Sequence, residues 1–289
     1  MQATSSGGGR KSPLRARRRR VRILFALVGV LAIVSTAYGI SWISYLPRFS
    51  LLSVTVAGTE NVSPRIVKAY IETRLFDSLY PFLSRQNIFL YPRAELEKQV
   101  TEYFPRIRTV EITREALLAK SVVVTVEERE ARGRWCTGSG ECYLLDESGF
   151  IFAPEATSSP STVQYTFTGT LLSAGSPARA PRAGGPVGQT FLPEHFLGVF
   201  TLLQELARAG FTPRGALVEN LPAQAGEQDF SIPLAKGYIL RVSFGSELEK
   251  IVRNLELVLS SDALRGRENE LEYIDLRFGN RVYYKFREQ

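Results

Sequence analysis

The chain has 289 residues, 36 Lys and Arg against 29 Asp and Glu, a formal net charge of +7, one histidine and two cysteines. So basic a chain would ordinarily point to an anionic partner such as nucleic acid. The eight cations among residues 1–22 account for the whole excess, because without them 28 cations face 29 acids. No folded, aromatic-bearing basic surface accompanies them, so no nucleic-acid partner is expected, and one histidine with two cysteines leaves too few ligands for a zinc site.

Residues 1–22 form a basic tail. Gly7-Gly8-Gly9 and the neighbouring serines mark it as disordered. Arg10, Lys11, Arg15, Arg17, Arg18, Arg19, Arg20 and Arg22 are placed to meet anionic lipid headgroups, at roughly 1 kcal/mol each. Ile23 to Leu46 then runs without a charged side chain. As a helix this stretch covers about 36 Å, slightly more than the roughly 30 Å hydrocarbon core of a bilayer. A buried core helix would carry a polar face, whereas the polar atoms here are hydroxyls that can bond back to their own helix. A cleaved signal peptide would have a shorter apolar region ending in small residues. Trp42 and Tyr45 suit a membrane interface, and the cationic tail places the N-terminal side in the cytoplasm and the rest outside the cytoplasmic membrane.

A first domain is expected at 49–129. Leu52, Val54 and Val56 alternate with Ser53 and Thr55, a half-buried strand ended by Gly58. Ser63-Pro64 opens a helix with Ile66, Val67, Tyr70 and Ile71 on its apolar face. Leu96, Val100 and Phe104 give a second helix over Arg93 to Phe104. Thr109 to Arg114 and Lys120 to Glu128 read as a hairpin, so both helices can cover one face of a three-stranded sheet.

Val54-Thr55-Val56-Ala57-Gly58 after a membrane anchor, Phe104 to Arg114 (FPRIRTVEITR) and Val124-Thr125-Val126-Glu127-Glu128-Arg129 resemble the POTRA domain of the FtsQ/DivIB bacterial cell-division proteins. Leu145 to Phe152 (LDESGFIF) is similar to that family's turn, and Ile274-Asp275-Leu276-Arg277 to one of its last strands. The resemblance implies an α+β fold: one N-terminal transmembrane helix (23–46), a POTRA domain (βααββ), then a mixed α/β domain with a largely antiparallel sheet at 130–289. It implies a divisome scaffold at the septum that binds FtsB-like and FtsL-like single-span proteins and other division membrane proteins. Some other POTRA-bearing anchor, handling secreted chains, is the alternative.

The residues of the second domain carry their own reading. Trp135-Cys136 and Cys142-Tyr143 flank a Gly-containing bend, and a disulfide between Cys136 and Cys142 is preferred over two free thiols. Asp146 and Gly149 suit a tight turn. Ala153 to Thr190 is rich in small residues; Val163 to Phe167 alternates like a strand, and a flexible loop is expected at about 170–190. Phe196, Phe200, Leu203 and Leu206 form a helical stripe within Pro193 to Ala209, with His195 a surface or capping residue at its start. Ala216 to Leu221 and Tyr238 to Phe244 read as strands. Ser246 with Glu249 reads as a capping box for a helix to Leu259. Asp275 and Arg277 share a strand face as a surface pair, opposite Ile274, Leu276 and Phe278.

Gly279-Asn280 joins the last two strands, and the resemblance to the FtsQ/DivIB family implies that the final one, Arg281 to Arg287, is the partner-binding segment. There Val282, Tyr284 and Phe286 face the domain while Arg281, Tyr283 and Lys285 face out; Tyr283 is the expected anchor, and the cations favour an acidic partner segment. No motif of a hydrolase, metalloprotease or nucleotide-binding enzyme occurs, so no catalytic residue and no cofactor are expected. A membrane-anchored cell-wall enzyme whose carboxylates meet only in the fold is the alternative of a different class. A reporter active only outside the cytoplasm is expected to work when fused after Gln289 and to fail when fused ahead of Arg10; the reverse pattern would invert the topology.

Overall fold

A computed structural model describes residues 13–76, 82–155, 163–171, 185–218 and 229–288. Two compact units emerge, one of residues 1–100 with 110–126 and the other of residues 101–109 with 127–289.

Helix α1 (Pro13–Ser44) opens the first unit. Its Arg20–Ser44 stretch, 25 residues of mean hydropathy 2.3 with none of the apolar window buried, is long and apolar enough to cross a membrane. The helix corrects the expected tail, since residues 13–22 are helical rather than disordered. Arg, Leu and Ala are good helix formers, Pro13 takes a first-turn position where its missing N–H costs nothing, and an established helix propagates easily. Arg10, Lys11 and the glycine run lie outside the described residues.

Strands β1 (Ser53–Ala57), β2 (Ile107–Thr113) and β3 (Ser121–Glu128) form a three-stranded sheet in the order β1-β3-β2. β1 runs parallel to β3, setting Val54 opposite Val122 and Val56 opposite Val124. Helix α2 (Pro64–Phe76) buries Val67, Ile71 and Leu75, and α3 (Arg93–Tyr103) buries Leu96 and Val100. Ile66, expected on the inner face of α2, is 57% exposed, because the buried stripe follows the four-residue spacing of Val67, Ile71 and Leu75.

The second unit is a mixed, mostly antiparallel sheet of nine strands: β4 (Gly133–Cys136), β5 (Cys142–Leu145), β6 (Ile151–Pro154), β7 (Tyr165–Gly169), β8 (Gly215–Val218), β9 (Asp229–Pro233), β10 (Ile239–Ser243), β11 (Leu271–Phe278) and β12 (Arg281–Phe286). The spatial order is β12-β11-β10-β9-β8-β7-β4-β5-β6. Helix α4 (Phe196–Arg208) links the parallel pair β7 and β8, and α5 (Leu248–Ser260) links the parallel pair β10 and β11. Each helix is therefore the long crossover that a parallel pair requires. Each pair is followed by an antiparallel strand, β9 or β12, so the strand-helix-strand-strand pattern occurs twice in succession. Phe196, Leu203 and Leu206 of α4 and Ile251 and Leu255 of α5 pack with Phe167, Val218, Ile232, Leu240, Val242 and Ile274 into one core on one face of the sheet.

Local chemistry fixes several joints. Cys136 and Cys142 face each other across the β4–β5 hairpin and are joined as a disulfide. The buried Asp146 carboxylate accepts bonds from the Ser148 amide (2.8 Å), the Ser148 hydroxyl (2.6 Å) and the Phe150 amide (3.1 Å), and pairs with Arg129. Gly149 sits at φ +79°, and a Cβ there would lie 2.6 Å from the Phe191 carbonyl oxygen, so both conformation and space demand glycine.

Elsewhere the structure departs from the sequence reading. Ser246 does not cap α5, whose N-cap is Glu247 without a side-chain cap bond. His195 occupies the N-cap of α4 but makes no cap bond; its ring packs on Phe244 at 4.7 Å. Residues 172–184 of the expected flexible loop lie outside the described residues. Its end is held in place, with Ile151 N–H donating to the Gln189 carbonyl and Gly188 N–H to that of Ile151, each at 2.8 Å. Of the strand expected at Ala216 to Leu221, residues 219–221 also lie outside the described residues. Gly149→Ala is expected to lower unfolding stability by at least about 2 kcal/mol, measured by thermal unfolding of the full chain in detergent.

Candidate functional site

The terminal strand β12 is the last strand at one edge of the nine-stranded sheet. Gly279 and Asn280 turn the chain into it, with φ +63° at Gly279 only, the pattern of a turn whose first central residue must be glycine. Asn254 Nδ2 donates to the Gly279 carbonyl (2.9 Å), tying the turn to α5. At the other end Arg287 N–H donates to the Glu270 carbonyl (2.8 Å), and its guanidinium to the Gly237 carbonyl (2.6 Å). Because backbone groups alternate along a strand, this inward bond at Arg287 turns the amides of Lys285, Tyr283 and Arg281 toward β11. The N–H and C=O groups of Val282, Tyr284 and Phe286 then point away from the sheet.

Side chains alternate in the perpendicular direction. Val282 and Phe286 pack against the helix-covered core, and Arg267 stacks on the Phe286 ring at 4.2 Å. Tyr284, expected to pack there too, is 39% exposed, since it lies at the open margin beside Phe286. Arg281, Tyr283 and Lys285 are exposed, as expected. Lys285 pairs with Glu272 at 2.8 Å, which offsets part of the positive charge foreseen for this face.

Two irregularities in β11 shift its register against β12, one of them between Asp275 and Phe278. The extra residue reverses the side-chain alternation beyond it. Phe278 is thus not on the side of Ile274 and Leu276. It is exposed beside Tyr283, ring centroids 5.3 Å apart and nearly perpendicular. Sequence reading missed this aromatic pair, because strict alternation predicts the wrong face for Phe278.

Asp275 and Arg277 also differ from the surface pair expected. Asp275 is buried, 4% exposed, flanked by Tyr283 of β12 on one side and Arg241 of β10 on the other. Arg277 donates to both Asp275 oxygens (2.9 and 2.6 Å) and also pairs with Asp229 of β9, itself bonded by the Ser243 hydroxyl at 2.7 Å. Burial pushes the Asp275 carboxyl up, but the hydrogen bonds and charge of Arg277, with the charge of Arg241, outweigh it and hold the group below its ordinary range. Arg277, bonded by both carboxylates, is raised and stays charged.

Two further titratable groups belong to the fold. His195 lines a cavity of about 270 Å³ with Phe230, Phe244 and Leu248 at the starts of α4 and α5. Tyr238 is wholly buried, and its hydroxyl meets no hydrogen-bond partner among the described residues. Burial and then the charge of Glu268 raise its pKa, so it remains a neutral phenol.

No protein-family model matches the chain, and a search of curated proteins returns no match.

A carboxyl depressed in the folded state stabilises above its unfolded pKa, about 3.9 for Asp, and that stabilisation is lost as pH falls through the folded value. Asp146 behaves as Asp275 does: burial raises it, while bonds from Ser148, Arg129 and Phe150 prevail and lower it. Unfolding followed by circular dichroism is thus expected to show stability falling below about pH 4. Asp275→Asn should flatten that fall and cost about 1.5–3 kcal/mol at neutral pH.

Proposed function

We propose that this protein is a bitopic scaffold of the bacterial division machinery, similar to the FtsQ/DivIB proteins. It works by binding other single-span division proteins outside the cytoplasmic membrane during septum formation. The observation that carries the reading is the edge strand β12, held at both ends, with the backbone groups of Val282, Tyr284 and Phe286 directed away from the sheet. An extended segment of an FtsB-like partner, itself held with an FtsL-like one, adds there as a further strand. Backbone bonds supply affinity, and Tyr283 with Phe278 on the open face supplies specificity. The sequence resemblance supports the same reading, as does α1, the one helix among the described residues long and apolar enough to cross a membrane.

Two substitutions separate backbone from side-chain recognition. Tyr284→Pro removes an outward donor while leaving the ladder to β11 intact. Tyr283→Ala removes only the aromatic ring and is expected to weaken binding by about 2 kcal/mol, about thirtyfold in Kd. Both variants, folded and inserted, should recover less FtsB-like partner in a membrane pull-down, Tyr284→Pro least. Recovery at the parental level from both would place the binding surface elsewhere.

A further inference from the structure

Exposed large apolar side chains of the first unit beyond α1 are unevenly placed. Among the described residues Leu52, Phe82, Phe89, Leu90, Leu117 and Leu118 lie on loops, and only Ile66 and Phe76 lie on α2. Those loops are tied to the end of α1. Ser44, in its last turn, accepts a bond from the Ser84 amide (3.1 Å), and its carbonyl accepts one from Asn87 Nδ2 (3.0 Å). Ser41 donates to the Phe82 carbonyl. Ser44, Ser84 and Asn87 are all buried, so the joint is closed to water. The chain after α1 is tied down as well: Ile88 N–H donates to the Phe49 carbonyl (2.8 Å), and the Phe49 and Phe89 rings lie 6.0 Å apart.

The tip of the β2–β3 hairpin joins the same cluster. Arg114 lies over Phe89 and Tyr91 at 5.7 and 5.8 Å and donates to the Leu117 carbonyl at 3.0 Å. Lys120 donates to the Pro47 carbonyl at 3.2 Å, and Leu52 N–H to the Lys120 carbonyl at 2.8 Å. Between these cations the tip reads Glu-Ala-Leu-Leu-Ala, with Leu117 71% and Leu118 61% exposed.

We propose that Phe89, Leu90, Leu117 and Leu118 form a second membrane contact that lies in the outer lipid interface around the exit of α1. The inference rests on α1 spanning the bilayer. Given that, hydrogen bonds to the last turn fix the 82–91 loop at the depth where hydrocarbon meets headgroups. Apolar side chains flanked by Arg and Lys are the composition that partitions there. Lipid is the occupant because the cluster is continuous with the span itself. The domain is consequently held at a set angle to the membrane instead of swinging on a linker.

Depth measurements on the full chain in phosphatidylcholine and phosphatidylglycerol vesicles test this. Because Cys136 and Cys142 are joined, single cysteines placed as Leu118→Cys, Phe89→Cys, Ile66→Cys and Val34→Cys can each carry a fluorophore. The probes at 118 and 89 should be quenched several-fold more by shallow spin-labelled lipids than the probe at 66, and be shielded from aqueous iodide. Lipid quenching no stronger than at 66 overturns the proposal, whether iodide reaches the probes or a protein surface shields them. The probe at 34 reports separately on the span: if deep lipid labels fail to quench it, the membrane reading of α1 falls, whereas quenching at 34 alone sinks only the interfacial contact.

Discussion

The second unit depends on one constraint: its helices lie on a single face of the nine-stranded sheet, so every strand must send alternate residues into the same layer. Phe167, Val218, Ile232, Leu240 and Ile274 satisfy it from five different strands. Pleat and register then dictate what the opposite face holds. A row runs across it from Tyr283 through Asp275, Arg241, Ser231, Leu217 and Thr168 to Cys136. The disulfide, the Asp275 network and the exposed ring of Tyr283 thus share a face because the core owns the other one. A one-residue slip in any strand would exchange the two sets.

The edge strand shows how a local defect can build a surface. An extra residue in β11 costs ladder regularity, yet it moves Phe278 out of the core-facing series and sets it beside Tyr283. The adjacent buried carboxylate keeps its charge because Arg277 reaches it with two donors, a geometry that lysine could not reproduce. The exposed ring pair and the buried ion pair are therefore neighbours in one register.

Much of this was legible from residues alone, and the failures have physical causes. Alternation in Val122, Val124 and Val126, the helical stripe through Phe196, Leu203 and Leu206, and the apolar run after Arg22 each depend on local periodicity, which a sequence displays directly. What stayed hidden is non-local. Asp229 meets Arg277 across 48 residues, so a pair read as superficial is part of a three-strand network. Phe278 was placed on the wrong face because a bulge leaves no periodic signature. The start of α1 was misjudged because the glycine run and serines at the head of the tail were read as setting all of 1–22, although the Arg-rich part beyond them is a good helix former once a helix exists to extend.

The two units are interleaved along the chain: residues 101–109 belong with the second, and the return through 110–126 belongs with the first. Strand β2 (Ile107–Thr113) begins in one and ends in the other. No single cut therefore separates them. A deletion that starts at the N-terminus and ends between residues 101 and 126 takes residues from both, although the hydrophobic core of the second unit begins only at Trp135. A single crossover in that stretch cannot exchange either unit whole.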